Sequence, residues 1–231
     1  MLKRSTDATG DLWKRYQEVE VSYDGDWTGL VKRLQPDLVD AEFRKSSREI
    51  YEPRSRVVKQ WHRGPGGTKT VIRTPGKVEV NYEDVGDKAV TEEIRDASAL
   101  VADAYTAFLF GASFLLEEGQ SLELLKEEEL GGEVCDRVQG RLSPGFGFSE
   151  EDRFVVWIGR DSGWMRRLQF TIDGLASTRG ADVEVSFFDH WQAKDGSIWP
   201  GRFVEWVERP VHVKAHEWWM TALEVDGKRL K

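Results

Sequence analysis

Residues 152–225 carry the reading that decides the fold, and three segments within them do most of it: Phe154-Val155-Val156-Trp157-Ile158, Leu168-Gln169-Phe170-Thr171-Ile172 and Val183-Glu184-Val185-Ser186-Phe187. Each run alternates or stays apolar, and each is bounded by turn residues, as consecutive antiparallel strands are. In the second run Leu168, Phe170 and Ile172 share one face while Arg167, Gln169 and Thr171 share the other. That pattern predicts a strand buried on one side.

Working outward, period-two alternation recurs at Val19, Val21 and Tyr23, and again at Val78, Val80 and Tyr82. Residues 57–62 and 68–73 flank Arg63-Gly64-Pro65-Gly66-Gly67, a hairpin connection, and Gly131-Gly132 sits between two further strands at 122–130 and 133–142. Residues 43–51 read as a charged strand with few apolar positions, as edge strands often are. Residues 27–38 fit a strand or a short helix, and 212–225 read as the last long strand. Between Thr91 and Glu118 the period changes: Ile94, Ala97, Val101, Phe108, Ala112 and Leu115 recur at helical steps. Thr91 followed by Glu92 and Glu93 predicts an N-cap with acidic residues in the first turn. The stretch Phe108-Leu109-Phe110-Gly111-Ala112-Ser113-Phe114-Leu115-Leu116 is apolar almost all round and must be covered on more than one side. The expected fold is mainly β (α+β): about ten antiparallel strands and one long helix. Residues 1–12 are expected to be frayed, and 13–231 to form a single domain, since no Pro/Ser-rich linker interrupts them.

The 231 residues are 39% hydrophobic and 32% charged, enough apolar material for a core. Ten Trp and eleven Phe fit pleated sheet cores, or alternatively platforms for sugars. The net charge of −8 is concentrated in residues 85–152, where 5 Lys and Arg face 16 Asp and Glu, a net of −11. That sign excludes a nucleic-acid partner, because phosphate binding needs the opposite charge. It describes a solvated acidic face or a dock for a basic protein partner on residues 117–136. Cys135 stands alone, so no internal disulfide and no Cys-rich metal site is expected. No run of 18 apolar residues appears, so no membrane span is expected. The N-terminal residues lack the apolar core of a signal peptide, which reads as a cytoplasmic protein or as one whose targeting segment was removed. Oligomeric state is not legible.

The hairpins at 127–142 and 152–171, the strand pair at 187–207 turning through Asp195-Gly196 into Trp199-Pro200-Gly201-Arg202, and the order strands–helix–strands resemble the bacterial lipoprotein carriers of the LolA/LolB-like superfamily. The resemblance implies a strongly curved antiparallel sheet, an incomplete β-barrel whose concave side is closed by helices. It also implies binding of an apolar small molecule or lipid, with no cofactor and no catalytic residue. On that basis the apolar helix end, with Phe108, Phe114 and Leu115, is expected to share the concave side with Leu168, Phe170 and Phe187. Phe146 and Phe148, set between glycines in residues 144–148, would form a mobile apolar lip. An acyl chain of about 14 carbons gains roughly 10 kcal/mol at ~0.8 kcal/mol per methylene. Association costs consume at least ~4 kcal/mol, which leaves micromolar-to-millimolar affinity suited to reversible handover.

Other chemistries leave weaker traces. His212 and His216 have i,i+4 spacing, but on a strand they stand about 13 Å apart at ~3.3 Å per residue, with no partner set for a metal. Residues 159–163 (Gly-Arg-Asp-Ser-Gly) read as a tight hairpin rather than as the setting of a nucleophilic Ser162. Glu205 opposite Asp189 or Glu217 would be the carboxylate pair of a glycosidase, and Trp191, Trp199 and Trp206 the lining of a carbohydrate site.

Overall fold

The computed structural model describes residues 1–83, 89–209 and 212–231. Residues 84–88, part of the acidic segment, and residues 210 and 211 lie outside the described residues. In chain order the elements are α1 (Leu2–Thr9), α2 (Leu12–Arg15), β1 (Val19–Trp27), α3 (Gly29–Leu34), α4 (Pro36–Val39), β2 (Ser46–Glu52), β3 (Val57–Gly64), β4 (Gly67–Thr74), β5 (Lys77–Glu83), α5 (Glu92–Glu118), β6 (Gly119–Leu130), β7 (Glu133–Leu142), β8 (Asp152–Gly159), β9 (Met165–Thr171), β10 (Asp182–Phe188), β11 (Trp191–Gln192), β12 (Ile198–Trp199), β13 (Arg202–Arg209), β14 (Val213–Val225) and β15 (Lys228–Arg229). Fifteen strands among the described residues exceed the ten expected; two of the extra ones are the two-residue pair β11–β12.

One curved, unclosed sheet runs β5-β4-β3-β2-β1-β14-β13-β10-β9-β8-β7-β6, with β15 beside β14. Neighbours are hairpin partners except at two joins. β14 pairs with β1, from Val19 opposite Val225 to Trp27 opposite His216, and β10 pairs with β13. The first and last long strands therefore meet at the middle of the sheet, and its two edges are β5 and β6. The helix α5 connects those edges. It lies across the concave side, where one-sided strands direct Val21, Tyr51, Val156, Leu168, Phe170, Val185 and Phe203 into a single core.

Local chemistry accounts for α5. The Thr91 hydroxyl accepts the Ile94 N–H at 3.2 Å, and Glu92 and Glu93 complement the helix dipole. The helix breaks at Gly111, whose φ of 55° and ψ of −131° are open to glycine alone, and resumes to Glu118. Within the 27 residues of α5, an 18-residue window with mean hydropathy of 1.7 is long and apolar enough to cross a membrane by length and composition alone. Yet 83% of its apolar window is buried inside the fold, as in a core helix.

Three expectations are corrected. Residues 1–12 are not frayed: α1 packs on α5 and buries Leu2, Ser5 and Thr6. Its inner face is made of hydroxyl residues, which read as polar in sequence; Thr9 satisfies its own hydroxyl on the Ser5 carbonyl at 2.9 Å. The charged strand β2 is no edge strand but lies between β1 and β3, with Ser47, Glu49 and Tyr51 turned inward. Finally, residues 27–38 divide between the end of β1 and the short helices α3 and α4, the latter started by Pro36.

Candidate functional site

The break at Gly111 redirects the last two turns of α5, and a pocket of about 180 Å³ opens beside them. Its apolar wall is assembled from six separate elements: Trp13 of α2, Tyr51 of β2, Val58 of β3, Phe114 of α5, Leu142 of β7 and Phe146 of the following loop. Trp13 is the keystone. Its ring meets Phe110 edge-on at 5.1 Å and Phe114 at 5.2 Å, while its backbone N–H donates to the Ser113 hydroxyl at 3.1 Å. Tyr51 meets Phe110 at 5.7 Å, also edge-on, and donates its hydroxyl to the fully buried Glu49 carboxylate. Burial raises the Glu49 carboxyl above its ordinary value, against the donors Tyr51 and Ser47.

Charged side chains stand at the rim and, as the Arg73–Asp103 pair, in one wall. Arg56 donates to Glu118 at 2.7 Å across the mouth, and Lys14 pairs with the neighbouring Glu117 at 2.6 Å. Solvent screens these exposed pairs, so the helix end is held mainly by its aromatic contacts. On the opposite side Arg73 donates to both oxygens of Asp103, at 3.1 and 2.9 Å, and to the Gly147 carbonyl at 2.8 Å. The Gly147 N–H closes the ring by donating to Asp103 at 2.9 Å. Burial pushes the Asp103 carboxyl up, while Arg73 and the Gly147 N–H pull it down.

Of the expected binding residues, Phe114 and Phe146 line this pocket. Phe108, Leu115, Leu168, Phe170 and Phe187 do not; they are buried in the core, where Phe108 meets Phe170 at 5.8 Å and Phe187 at 6.1 Å between ring centres and only small cavities of about 20 and 30 Å³ remain beside them. Phe146 joins the two regions by meeting Phe170 edge-on at 5.0 Å. It is 2% exposed, and its N–H is fixed by Asp152 at 2.8 Å, so it is no mobile lip. Phe148 is 46% exposed and lies under the Arg73 guanidinium, away from the pocket. Sequence reasoning missed Trp13, Tyr51, Val58 and Leu142. Tyr51 and Val58 did alternate with polar neighbours, but nothing local said that the two strands face the helix end.

The alternative sites are occupied by their own neighbours. Trp199 is fully buried and donates to Ser197 at 2.8 Å, and Trp206 is stacked on His212 at 4.9 Å. Glu205 faces His216 at 3.3 Å, and Arg202 pairs with both Asp189 and Glu217. His212 is exposed while His216 is buried, and no group of three or more metal-ligating side chains converges among the described residues. In the acidic segment, Glu127 pairs with Arg160 and Glu128 with Arg137. A larger polar groove of about 340 Å³, lined by Arg141, Arg153, Asp182 and Arg209, lacks an apolar wall of this kind.

No family model matches the sequence, and neither does any curated protein. Solved structures do match. A putative outer membrane lipoprotein-sorting protein domain from Vibrio parahaemolyticus superposes with a TM-score of 0.50 at 11% identity, covering 97% of this chain and 92% of that one. A LolA superfamily protein from Nitrosomonas europaea gives 0.51 at 9% identity, covering 96% and 93%. At such identities the likeness is one of fold, and this chain has the LolA-like open barrel.

Proposed function

We propose that the protein binds and carries an apolar guest with an acyl chain, without catalysing a reaction on it. The observation that carries this reading is the apolar pocket behind the broken end of α5, walled by Trp13, Tyr51, Phe114 and Phe146. The sharing of a fold with a lipoprotein-sorting domain is consistent with it. A cavity of about 150 Å³ with apolar walls accepts a benzene-sized guest. The pocket as it stands is of that order and takes the end of a chain. A longer chain enters as residues 112–118 swing about Gly111, releasing the rim ion pairs, the Phe114–Trp13 contact and the Trp13 N–H from Ser113, with the guest's own methylenes replacing the lost apolar contact.

The test is Phe114→Asp, which sets a carboxylate in the path of the chain. Losing contact with about three methylenes at ~0.8 kcal/mol each weakens a fluorescent fatty acid roughly 50-fold. Unchanged affinity in a variant with the wild-type circular dichroism spectrum rejects this site.

A further inference from the structure

The larger polar groove lies on the outer face of the sheet. Its side chains alternate with core residues: Gln139 and Arg141 with Val138 and Leu142 on β7, Arg153 and Val155 with Phe154 and Val156 on β8, and Gln169 with Leu168 and Phe170 on β9. Strand register places Arg141 directly opposite Arg153. Like charges so placed have Cβ atoms roughly 4.5–5.5 Å apart and destabilise a strand pair unless something neutralises them. Arg141 has Glu151 at 2.7 Å. Arg153 has no ion pair, and its side chain no hydrogen bond, among the described residues; only its backbone N–H is engaged, by the Thr171 hydroxyl at 3.0 Å.

The acids around the groove are engaged elsewhere. Glu123 accepts the Gln139 amide at 2.6 Å, and Asp182, two strands from Arg153 and so about 10 Å away, is held by Arg209. Arg141 spends only Nη1 on Glu151, and Arg209 only Nη2 on Asp182. A guanidinium carries five donors, so both keep several for a guest, beside all of Arg153 and the unpartnered amide of Gln169. One guanidinium fork satisfies a carboxylate, whereas a phosphoryl dianion offers three terminal oxygens and the charge to match two guanidiniums. The groove holds about 340 Å³, and a water needs only roughly 10–15 Å³ of such space, so a phosphoryl group fits with its substituent. We propose that this groove binds a phosphoryl group between Arg141 and Arg153, with its substituent lying over Gln169 toward Arg209.

Two sources supply that chemistry: a soluble phosphoryl compound or the headgroup of an acidic phospholipid. Calorimetric titration with inorganic phosphate, and with acetate at matched ionic strength, is run above pH ~7, where phosphate is mainly the dianion. Saturable binding of phosphate and none of acetate is the expected result. Arg153→Gln removes the charge-assisted contacts of one guanidinium and should weaken phosphate about tenfold or more. The same substitution relieves the Arg141–Arg153 repulsion, so without phosphate its melting temperature should equal or exceed that of wild type; a structural defect would lower it. Flotation with phosphatidylcholine vesicles, with and without phosphatidic acid, separates the sources: capture that needs both phosphatidic acid and Arg153 assigns the headgroup, and its absence assigns the soluble compound. Equal binding of phosphate and acetate, or responses to phosphate and vesicles that Arg153→Gln leaves unchanged, overturn the proposal. Arg153→Gln should leave fatty-acid affinity as it was, so this site and the apolar pocket fail separately.

Discussion

Replacing Gly111 by alanine tests the feature on which the pocket depends. In a regular helix that substitution stabilises by about 1 kcal/mol, because glycine is the poorer helix former. Here the sign reverses. Gly111 sits at φ 55° and ψ −131°, outside the regions open to an L-residue, which costs of order 1–3 kcal/mol. The new Cβ would also stand 3.3 Å from the Met165 Cε, a flexible end that gives way at little further cost. At about 2 kcal/mol, and about 2–4 °C per kcal/mol for a chain of this size, the melting temperature should fall by about 4–8 °C. Differential scanning calorimetry measures this directly. Gly132→Ala provides a reference: its φ is +83°, in an open hairpin with nothing within 4 Å, so it reports the backbone penalty without the neighbour. A melting temperature at or above wild type for Gly111→Ala would mean that α5 is unbroken in solution, and the account of the pocket wall would be wrong.

Two further perturbations probe the interior. Burial holds His62 and His216 below their ordinary values, so below pH ~6.5 the unfolded chain takes up protons that the folded chain refuses, and their contribution to stability is lost as pH falls. Glu49 and Asp103, raised by burial, slope the other way, so the informative quantity is the gap between wild type and His62→Gln in urea unfolding. That gap should shift against wild type by about 1.4 kcal/mol from pH 6 to pH 5; parallel curves would show that His62 titrates normally in the folded protein. Arg73→Met strands the Asp103 carboxylate and releases Gly147, and should cost about 3 kcal/mol in the same assay. Adding Asp103→Asn should recover part of the loss, and a double variant no better than the single one would contradict the ion-pair explanation.

What could be read from the sequence was what local periodicity controls. Leu168 and Phe170 point inward and Gln169 is partly exposed because β9 is buried on one side, and Thr91 caps α5 through its own hydroxyl. Readings failed where burial involved polar side chains. Glu49 looked like an edge-strand residue, yet it is fully buried because Ser47 and Tyr51 donate to it. The α1 face of Ser5 and Thr6 was hidden in the same way. The pocket was half legible: Phe114 and Phe146 stand out in an apolar helix end and an aromatic loop. Trp13, Tyr51 and Val58 reach it only through strand order and the Gly111 break, and neither leaves a periodic trace.

The position of β14 between β1 and β13 has a consequence for how the protein is made. On the ribosome, the strands up to β5 and those from β6 to β13 emerge as two separate half-sheets, each with an extra unsatisfied edge at the future join. Neither can close over α5 until residues 213–225 have left the exit tunnel. A nascent chain stalled before that point exposes Trp27, Phe203 and the greasy flank of α5 together, a state that chaperones should hold until the last long strand zips the halves shut.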